Sequence, residues 1–462
     1  MQTLNVEGRL EMDVREKKIV VVGLARSGIA AANVLLDRGA HVRVTDAKPR
    51  DLLSSALAQL SPGISVETGG HGETDFMDAD LIVVSPGVPL STGPLMEARK
   101  KGVEIISEVE LGYRLLPGTY IGVTGTNGKS TTTSLIGAML RADGREVDVC
   151  GNIGTPLTSL VGNEGAPPDR VVELSSFQLE GIASFRSHVA VLLNLSPDHL
   201  NRYPGMEEYA AAKARIFRNQ GEGDFAVMNF DDDRCVALAG DLRAQVVPVS
   251  RQREVAGGVY AAGGKMISEL PLFRGEILPV EAIRIPGLHN LENALAASAA
   301  ALVSGCTLSA VRSALQEFPG LPHRMESVGE VAGVRFINDS KGTNVGAVVR
   351  SLESIKVPVH LIAGGQGKGS DYRDLRTAVT ERVATLVLIG EAANRMEQDL
   401  TGTTRIERAA SMEEAVRRAF ESAHPGDVVL LSPGCASFDM FTDFEERGAV
   451  FCAEVARLKG EQ

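Results

Sequence analysis

Residues 121–132, reading IGVTGTNGKSTT, constrain this chain more than any other stretch. An apolar run of Tyr120, Ile121 and Val123 gives way to Gly125, Thr126, Asn127, Gly128, Lys129, Ser130 and Thr131, and small helix-compatible residues follow from Thr132 to Leu140. Strand, glycine-rich turn and helix start, in that order, is the context a phosphate-cradling loop needs. Glycines let backbone N–H groups turn inward, a helix N-terminus adds partial positive charge, and Lys129 adds a full one. A hydroxyl of Ser130 or Thr131 can be set on Mg²⁺. The strict P-loop spacing is not met, because Val123 stands five positions before Gly128 where that pattern has a glycine. An ordinary strand-to-helix turn is the alternative, but such a turn has no need of the order Gly-Lys-Ser-Thr. The expectation is a nucleoside triphosphate site at Lys129.

The rest of the chain must say what the triphosphate is for. At 462 residues there is room for roughly two to four domains, each with its own core. A hydrophobic fraction of 44% with 49 glycines suits an α/β protein, while aromatics at 4% and the absence of tryptophan argue against a base-stacking or sugar-stacking surface. The net charge of −12 argues against general binding to nucleic acid or an anionic membrane. Cys150, Cys235, Cys306, Cys435 and Cys452 are scattered with no CxxC pair, which reads as reduced core cysteines of a cytoplasmic protein. Charged residues from Glu7 to Arg15 precede any apolar run, so no signal peptide is expected. No apolar stretch approaches the roughly 18 residues of a membrane span.

In chain order, the strand KIVVV at 18–22 leads into Gly23-Leu24-Ala25-Arg26-Ser27-Gly28 and a helix, and a second strand at 41–45 ends on Asp46. This is a Rossmann-type beginning with its acidic residue in place, but Ala25 stands where the second glycine belongs. A dinucleotide, a different nucleotide or none are all open at that unit. The strand LIVV at 81–84 ends in Ser85, Pro86 and Gly87, either a ligand-binding strand end or a proline-stiffened turn. After the phosphate loop, Gly151-Asn152-Ile153-Gly154 makes a turn. Strands at 170–174 and 189–194 then carry Glu173 and the pair Asp198-His199 to the same carboxyl edge. A carboxylate and a histidine near a triphosphate suit Mg²⁺ ligation. By the residues alone, Lys213 in YAAAKARIF reads as a solvated helix lysine. Asn290 and Asn293, at the start of an alanine-rich helix, are caps or adenine readers. Strands at 334–338, 357–363, 385–389 and 428–431 then alternate with helices as a further α/β unit. The expected boundaries divide the chain into 1–107, 108–320 and 321–462.

Taken together, these segments resemble the Mur ligases, ATP-dependent amide-bond-forming enzymes of peptidoglycan synthesis. The resemblance covers nearly the whole chain. TGTNGKST, GNIG, SPDHLNRY, GLHNLENA and LPHRME carry it through the central part, and some of these are shared with folylpolyglutamate synthetases. ELSSFQLE, NDSKGTN and LSPGCASFDMFTDFEERG look like the members that add D-glutamate. The resemblance implies a Rossmann-like N-terminal domain, a P-loop ATPase-like central domain and a dinucleotide-fold-like C-terminal domain. It implies a monomer acting on two small molecules, UDP-N-acetylmuramoyl-L-alanine and D-glutamate, with ATP and two Mg²⁺ ions.

Residue by residue, it implies that the loop from Gly125 to Thr131 holds the phosphates through Lys129. Ser130, Glu173, His199 and a carbamylated Lys213 would hold the metal. Asn290 and Asn293 would contact adenine, Arg324 the phosphates and Asp339 the ribose. Asp46 falls near the uracil pocket, and Ser85, Pro86, Gly87 and Asn152 on the muramoyl path. Lys341, Thr343, Lys368, Ser437 and Phe444 would surround D-glutamate. Asn201 departs from the acidic residue common after the histidine, and Ala47-Lys48 from the hydroxyl residue that follows the aspartate in some relatives. Two other readings stand beside this one: a sister or folylpolyglutamate-type ligase with another substrate, and a nucleotide-binding redox or regulatory protein using residues 23–46.

Overall fold

The structure, a computed structural model, describes residues 12–72, 74–162, 168–199, 202–367, 369 and 371–460. The chain divides into two compact units, one of residues 1–195, 207–282 and 292–316, the other of residues 196–206, 283–291 and 317–462.

The first unit holds two sheets. β1 (Lys18–Val22), β2 (His41–Asp46), β3 (Ser65–Thr68), β4 (Leu81–Val84) and β5 (Glu104–Ser107) form an all-parallel sheet in the order β3-β2-β1-β4-β5. Its central strands are valine- and isoleucine-rich runs buried on both faces, as parallel strands covered by helices must be. The strand order turns between β1 and β4, so the turn after β1 opens at the switch point of the sheet. That turn is tightly closed. A Cβ on Gly28 would lie 1.9 Å from the Gly23 carbonyl oxygen, and the Ser85 hydroxyl donates to the same oxygen at 2.8 Å.

The helix Glu108–Leu115 then leads into the second sheet, built from β6 (Thr119–Thr124), β7 (Val147–Gly151), β8 (Asp169–Glu173), β9 (Val189–Leu192), β10 (Phe225–Asn229), β11 (Gln245–Ser250), β12 (Val259–Ala262), β13 (Lys265–Leu270) and β14 (Phe273–Pro279). These nine strands run in the order β14-β13-β12-β11-β10-β9-β6-β8-β7, parallel except where β13 pairs with β12 and β14. Tyr113, Tyr120 and Phe185 meet edge to face with centroids 5.1–5.8 Å apart, seating the helix Glu108–Leu115 on the core beneath β6.

The second unit carries β15 (Glu326–Val331), β16 (Val334–Asn338), β17 (Val359–Gly364), β18 (Val383–Ile389), β19 (Arg405–Arg408) and β20 (Val428–Leu431) in the order β15-β16-β20-β17-β18-β19, parallel except for β15 against β16. The short or polar edge strands β3, β7, β15 and β19 are the elements the residue pattern did not announce. Half-solvated edges lack the unbroken apolar runs of central strands. All five cysteines are free thiols, four of them buried. Among the described residues no helix is long and apolar enough to cross a membrane.

Candidate active site

In the first unit, the loop from Gly125 to Gly128 leaves β6 and enters the helix Lys129–Ala142. Gly128 caps that helix at φ +86°, and a Cβ there would lie 2.2 Å from the Asn293 side-chain oxygen, so a larger residue would be strained and would push Asn293 aside. The Lys129 ammonium folds back over its own loop, donating to the carbonyls of Gly125 and Thr126 at 2.9 Å each. Asn194, at the end of β9, clamps the loop from the other side. Its Oδ1 accepts from the Asn127 N–H at 2.9 Å and its Nδ2 donates to the Asn127 carbonyl at 3.1 Å.

Residue reasoning gave Asn194 no role. The one signal was a polar residue closing the apolar run VAVLLN.

Glu173 ends β8, in register with Val123 of β6 on one side and Gly151 of β7 on the other. The sheet thus delivers a carboxylate beside the loop, 2% exposed and accepting from the Asn152 amide at 2.7 Å through Oε1. Asn152 is oriented by its own N–H, which donates to the Glu173 carbonyl at 2.9 Å.

Lys213 corrects the expectation of a solvated side chain: it is buried, 2% exposed. The helix Met206–Ala214 turns Tyr209 and Lys213 to the same face, four residues apart. The ammonium donates to the Gly125 carbonyl at 2.8 Å and lies 4.8 Å from the centre of the Tyr209 ring, whose hydroxyl meets Thr126 Oγ1 at 3.2 Å. Composition alone made the helix look solvated because alanines and glutamates dominate it. Lys129, Ser130, Asn152, Glu173, Lys213 and Asn293 are therefore gathered at one edge of the second sheet. The hydroxyl and carboxylate oxygens among them are hard donors, the chemistry Mg²⁺ selects.

At the first sheet, both Asp46 oxygens are engaged by backbone, Oδ2 by the Leu24 N–H at 2.7 Å and Oδ1 by the Lys48 N–H at 2.8 Å. Asp46 shapes the two turns that flank the switch point. Ser85, Pro86 and Gly87 follow β4 at the same edge.

In the second unit, His199 stands at φ +54°, with its N–H on Asp198 Oδ1 at 3.0 Å and its ring 3.7 Å from Asp198 Oδ2. Asn344 reaches the same Asp198 oxygen at 3.4 Å. Asn290 donates to the Pro286 carbonyl at 2.7 Å, in the first turn of the helix Leu288–Val303. Arg324 lies among three consecutive residues of which His323 and Met325 both have positive φ. Asp339 is buried. Burial pushes its carboxyl up to about 6, against the Ser351 and Ser432 hydroxyls that donate to Oδ2 at 2.7 and 2.8 Å and the charge of Arg324.

Lys341 lies 3.4 Å from the centre of the Phe444 ring, a cation–π contact. Ser437 is buried in the loop after β20, and Thr343 lies in the loop after β16. Lys368 and Asn201 lie outside the described residues.

Arg447 ties these loops together, and nothing in the run FEERGAVF singled it out. Its guanidinium donates to Ser340 Oγ, to the Ser340 carbonyl and to the carbonyls of Cys435 and Ala436, at 2.8–3.2 Å. Burial pulls it down to about 10.

Known proteins resemble the chain at three levels. Residues 17–107 match the Mur ligase MurD-like N-terminal domain, residues 123–301 the Mur ligase middle domain, and residues 323–435 the Mur ligase glutamate ligase domain. The UDP-N-acetylmuramoylalanine–D-glutamate ligase of Geotalea uraniireducens is 48% identical over 97% of this chain and 99% of its own length. The protein of the same name from Koribacter versatilis is 45% identical over 98% and 99%. Among solved structures, a pseudomurein peptide ligase type C from Methanothermus fervidus matches with TM-score 0.62 at 20% identity, covering 96% of this chain and all of its own. The UDP-N-acetylmuramate-alanine ligase MurC of Thermotoga maritima matches with TM-score 0.61, also at 20% identity, covering 96% and 100%. At that identity the two structures speak for the fold alone.

Proposed function

The chain belongs to the Mur ligase family, and on that premise we propose that it joins D-glutamate to UDP-N-acetylmuramoyl-L-alanine at the expense of ATP, in peptidoglycan precursor synthesis. The observation that carries this reading is the identity of 44–48% over at least 97% of the chain to ligases named for that reaction. The chemistry needs ATP because a carboxylate does not acylate an amine at neutral pH, its leaving group being oxide. The alanyl carboxylate oxygen attacks the γ-phosphorus, the bond to the β-γ bridging oxygen breaks, and ADP leaves an acyl phosphate. The D-glutamate amine then adds to the acyl carbon, and the tetrahedral intermediate expels phosphate as the amide forms.

Lys129 and the loop from Gly125 to Thr131 hold the triphosphate, with Arg324 adding charge where it develops. Mg²⁺, two ions in this reading, supplies further neutralisation of the phosphoryl oxygens when bound. Ser130, Glu173, His199 and Lys213 as a carbamate would be its ligands. The burial of Lys213 beside the loop supports the carbamate, since adding CO₂ to the amine turns a donor into a pair of acceptor oxygens. Asn290 and Asn293 take adenine, and Asp339 the ribose. Asn152, Ser85, Pro86 and Gly87 line the muramoyl path, and Asp46 shapes the uracil end. Lys341, Thr343, Lys368, Ser437 and Phe444 surround D-glutamate, the lysines as point charges for its carboxylates. His199, or the carboxylates near it, accepts the amine proton.

Three domains with boundaries near 107 and 320, a monomeric state and a cytoplasmic location complete the proposal. The end of β5 at Ser107 and the gap between matched regions at 301 and 323 support the boundaries.

The test is phosphate release from ATP with UDP-N-acetylmuramoyl-L-alanine and, in turn, D-glutamate, L-lysine or meso-diaminopimelate. Release confined to D-glutamate is expected. Release only with a diamino acid or a folate substrate would overturn it.

A further inference from the structure

The Asn293 side chain is seated against the phosphate loop without slack. Its Oδ1 accepts from Thr132 Oγ1 at 3.3 Å and occupies the space a Cβ on Gly128 would need. Asn194, Asp231, Arg251, Glu292 and Asn293 line a small cavity of about 10 Å³, room for little more than one water, at the carboxyl ends of β9, β10 and β11. The polar side chains around it are held by hydrogen bonds.

Those bonds form a chain. The Asp231 N–H donates to Asn229 Oδ1 at 2.9 Å. Asp231 then accepts the Ser250 hydroxyl at 2.6 Å through Oδ1 and the Arg251 N–H at 2.8 Å through Oδ2. Ser250 Oγ also accepts the N–H groups of Gln252 and Arg253, at 3.1 and 3.0 Å. The loops after β10 and β11 are laced into one piece, and Arg251 is the arm that leaves it. Its Nε donates to Glu292 Oε1 at 2.6 Å, an ion pair in which the side chains are 29% and 20% exposed. Glu292 directly precedes Asn293.

We propose that the Arg251–Glu292 ion pair is a positioning device for nucleotide recognition. It fixes the helix backbone at Glu292 so that the Asn293 carboxamide meets the base in one orientation. The inference rests on the reading of Asn293 as an adenine contact. A carboxamide offers a donor and an acceptor together, which matches the N6 amino group and N7 of adenine but not the O6 and N7 acceptors of guanine. A loosened helix start therefore weakens ATP binding and blurs the choice between ATP and GTP, while leaving the amino-acid end of the reaction alone.

The test uses the full-length enzyme in the phosphate-release assay, with Arg251→Ala, Glu292→Gln, the charge-reversed double variant R251E/E292R, and Asn293→Ala as reference. Each single variant of the pair is expected to raise KM for ATP about three- to tenfold and to lower the ATP-over-GTP preference in kcat/KM. The kcat and the KM values for D-glutamate and the UDP substrate should stay within about twofold, and the double variant should recover most of the loss. If Asn293→Ala raises KM for ATP and the pair variants do not, the positioning role is wrong. It is equally wrong if all KM values and the melting temperature move together, or if charge reversal rescues nothing. If Asn293→Ala itself leaves KM for ATP unchanged, it is the adenine reading of Asn293 that falls, and this inference with it.

Discussion

A buried lysine needs partners, and Lys213 finds them in the Gly125 carbonyl and the Tyr209 ring. The carbonyl belongs to the glycine-rich loop, so on the proposed function a change at Lys213 would be felt where ATP is held. Lys213→Ala is expected to lower kcat by about 10²–10³ with the fold intact, and short-chain carboxylic acids added to the assay should restore part of the activity by supplying the missing acceptor oxygens. A fully active Lys213→Ala enzyme would return the residue to an ordinary helix position. Lys129 shares the Gly125 carbonyl, and in the proposed role it would have to let go of it to meet a phosphate. Lys129→Ala should reduce ATP turnover by at least about 10² while leaving the circular dichroism spectrum and melting temperature close to wild type. The loop retains the Asn194 clamp and its glycines without that side chain.

One short helix, Glu108–Leu115, carries two buried carboxylates that behave in opposite ways. Glu110 is fully buried, but it accepts from the Arg114 guanidinium, the Ser184 hydroxyl and the N–H groups of Ala183, Ser184 and Phe185. Burial pushes its carboxyl up, and these donors outweigh burial and hold it below the usual range. Among the described residues Glu108 accepts only from Thr158 and its other oxygen has no hydrogen-bond partner, and burial pushes it up.

The sign of each effect follows by linkage. A lowered carboxyl contributes stability above its unfolded value near about 4.3, lost as pH falls through the folded value. A raised one withdraws stability as pH climbs from the unfolded value to the folded one. Glu110→Gln should therefore cost about 2–4 kcal/mol in urea unfolding at pH 7 and less near pH 4. Glu108→Gln should become progressively more favourable between pH 4 and pH 7. Equal pH profiles for the two variants would refute this account of the helix.

Across the whole molecule, the six strands from β15 to β20 and the two apolar clusters packed on them all lie between Met325 and Leu458. A fragment of residues 321–462 is accordingly expected to be soluble and to melt cooperatively, although it lacks residues 196–206 and 283–291 of the same compact unit. A broad, non-cooperative melt would mean that those two segments are part of the fold and not guests on it.

The family, the parallel sheets and the strand–loop–helix that carries Lys129 were legible in the residues, because each rests on local order. IVVV at 19–22, LIVV and VVLL are unbroken apolar runs of the kind a buried parallel strand carries, and Gly-Lys-Ser-Thr after a strand marks a strand-to-helix loop. Glu173 could be placed at the loop for the same reason, since parallel neighbours end on the same edge, whereas Asn152 follows the polar edge strand β7 and meets Glu173 only in the fold. What the order of residues did not carry were relations between distant segments: the burial of Lys213, the grip of Asn194 on the loop, Arg447 beneath two loops, and the Arg251–Glu292 arm. In each case the side chain is polar and its local pattern is that of a solvated residue. Its partner lies tens to hundreds of positions away, as Gly125 does from Lys213 and Ser340 from Arg447. A polar group declares its role only through the donor or acceptor it meets, and tertiary packing alone decides which one that is.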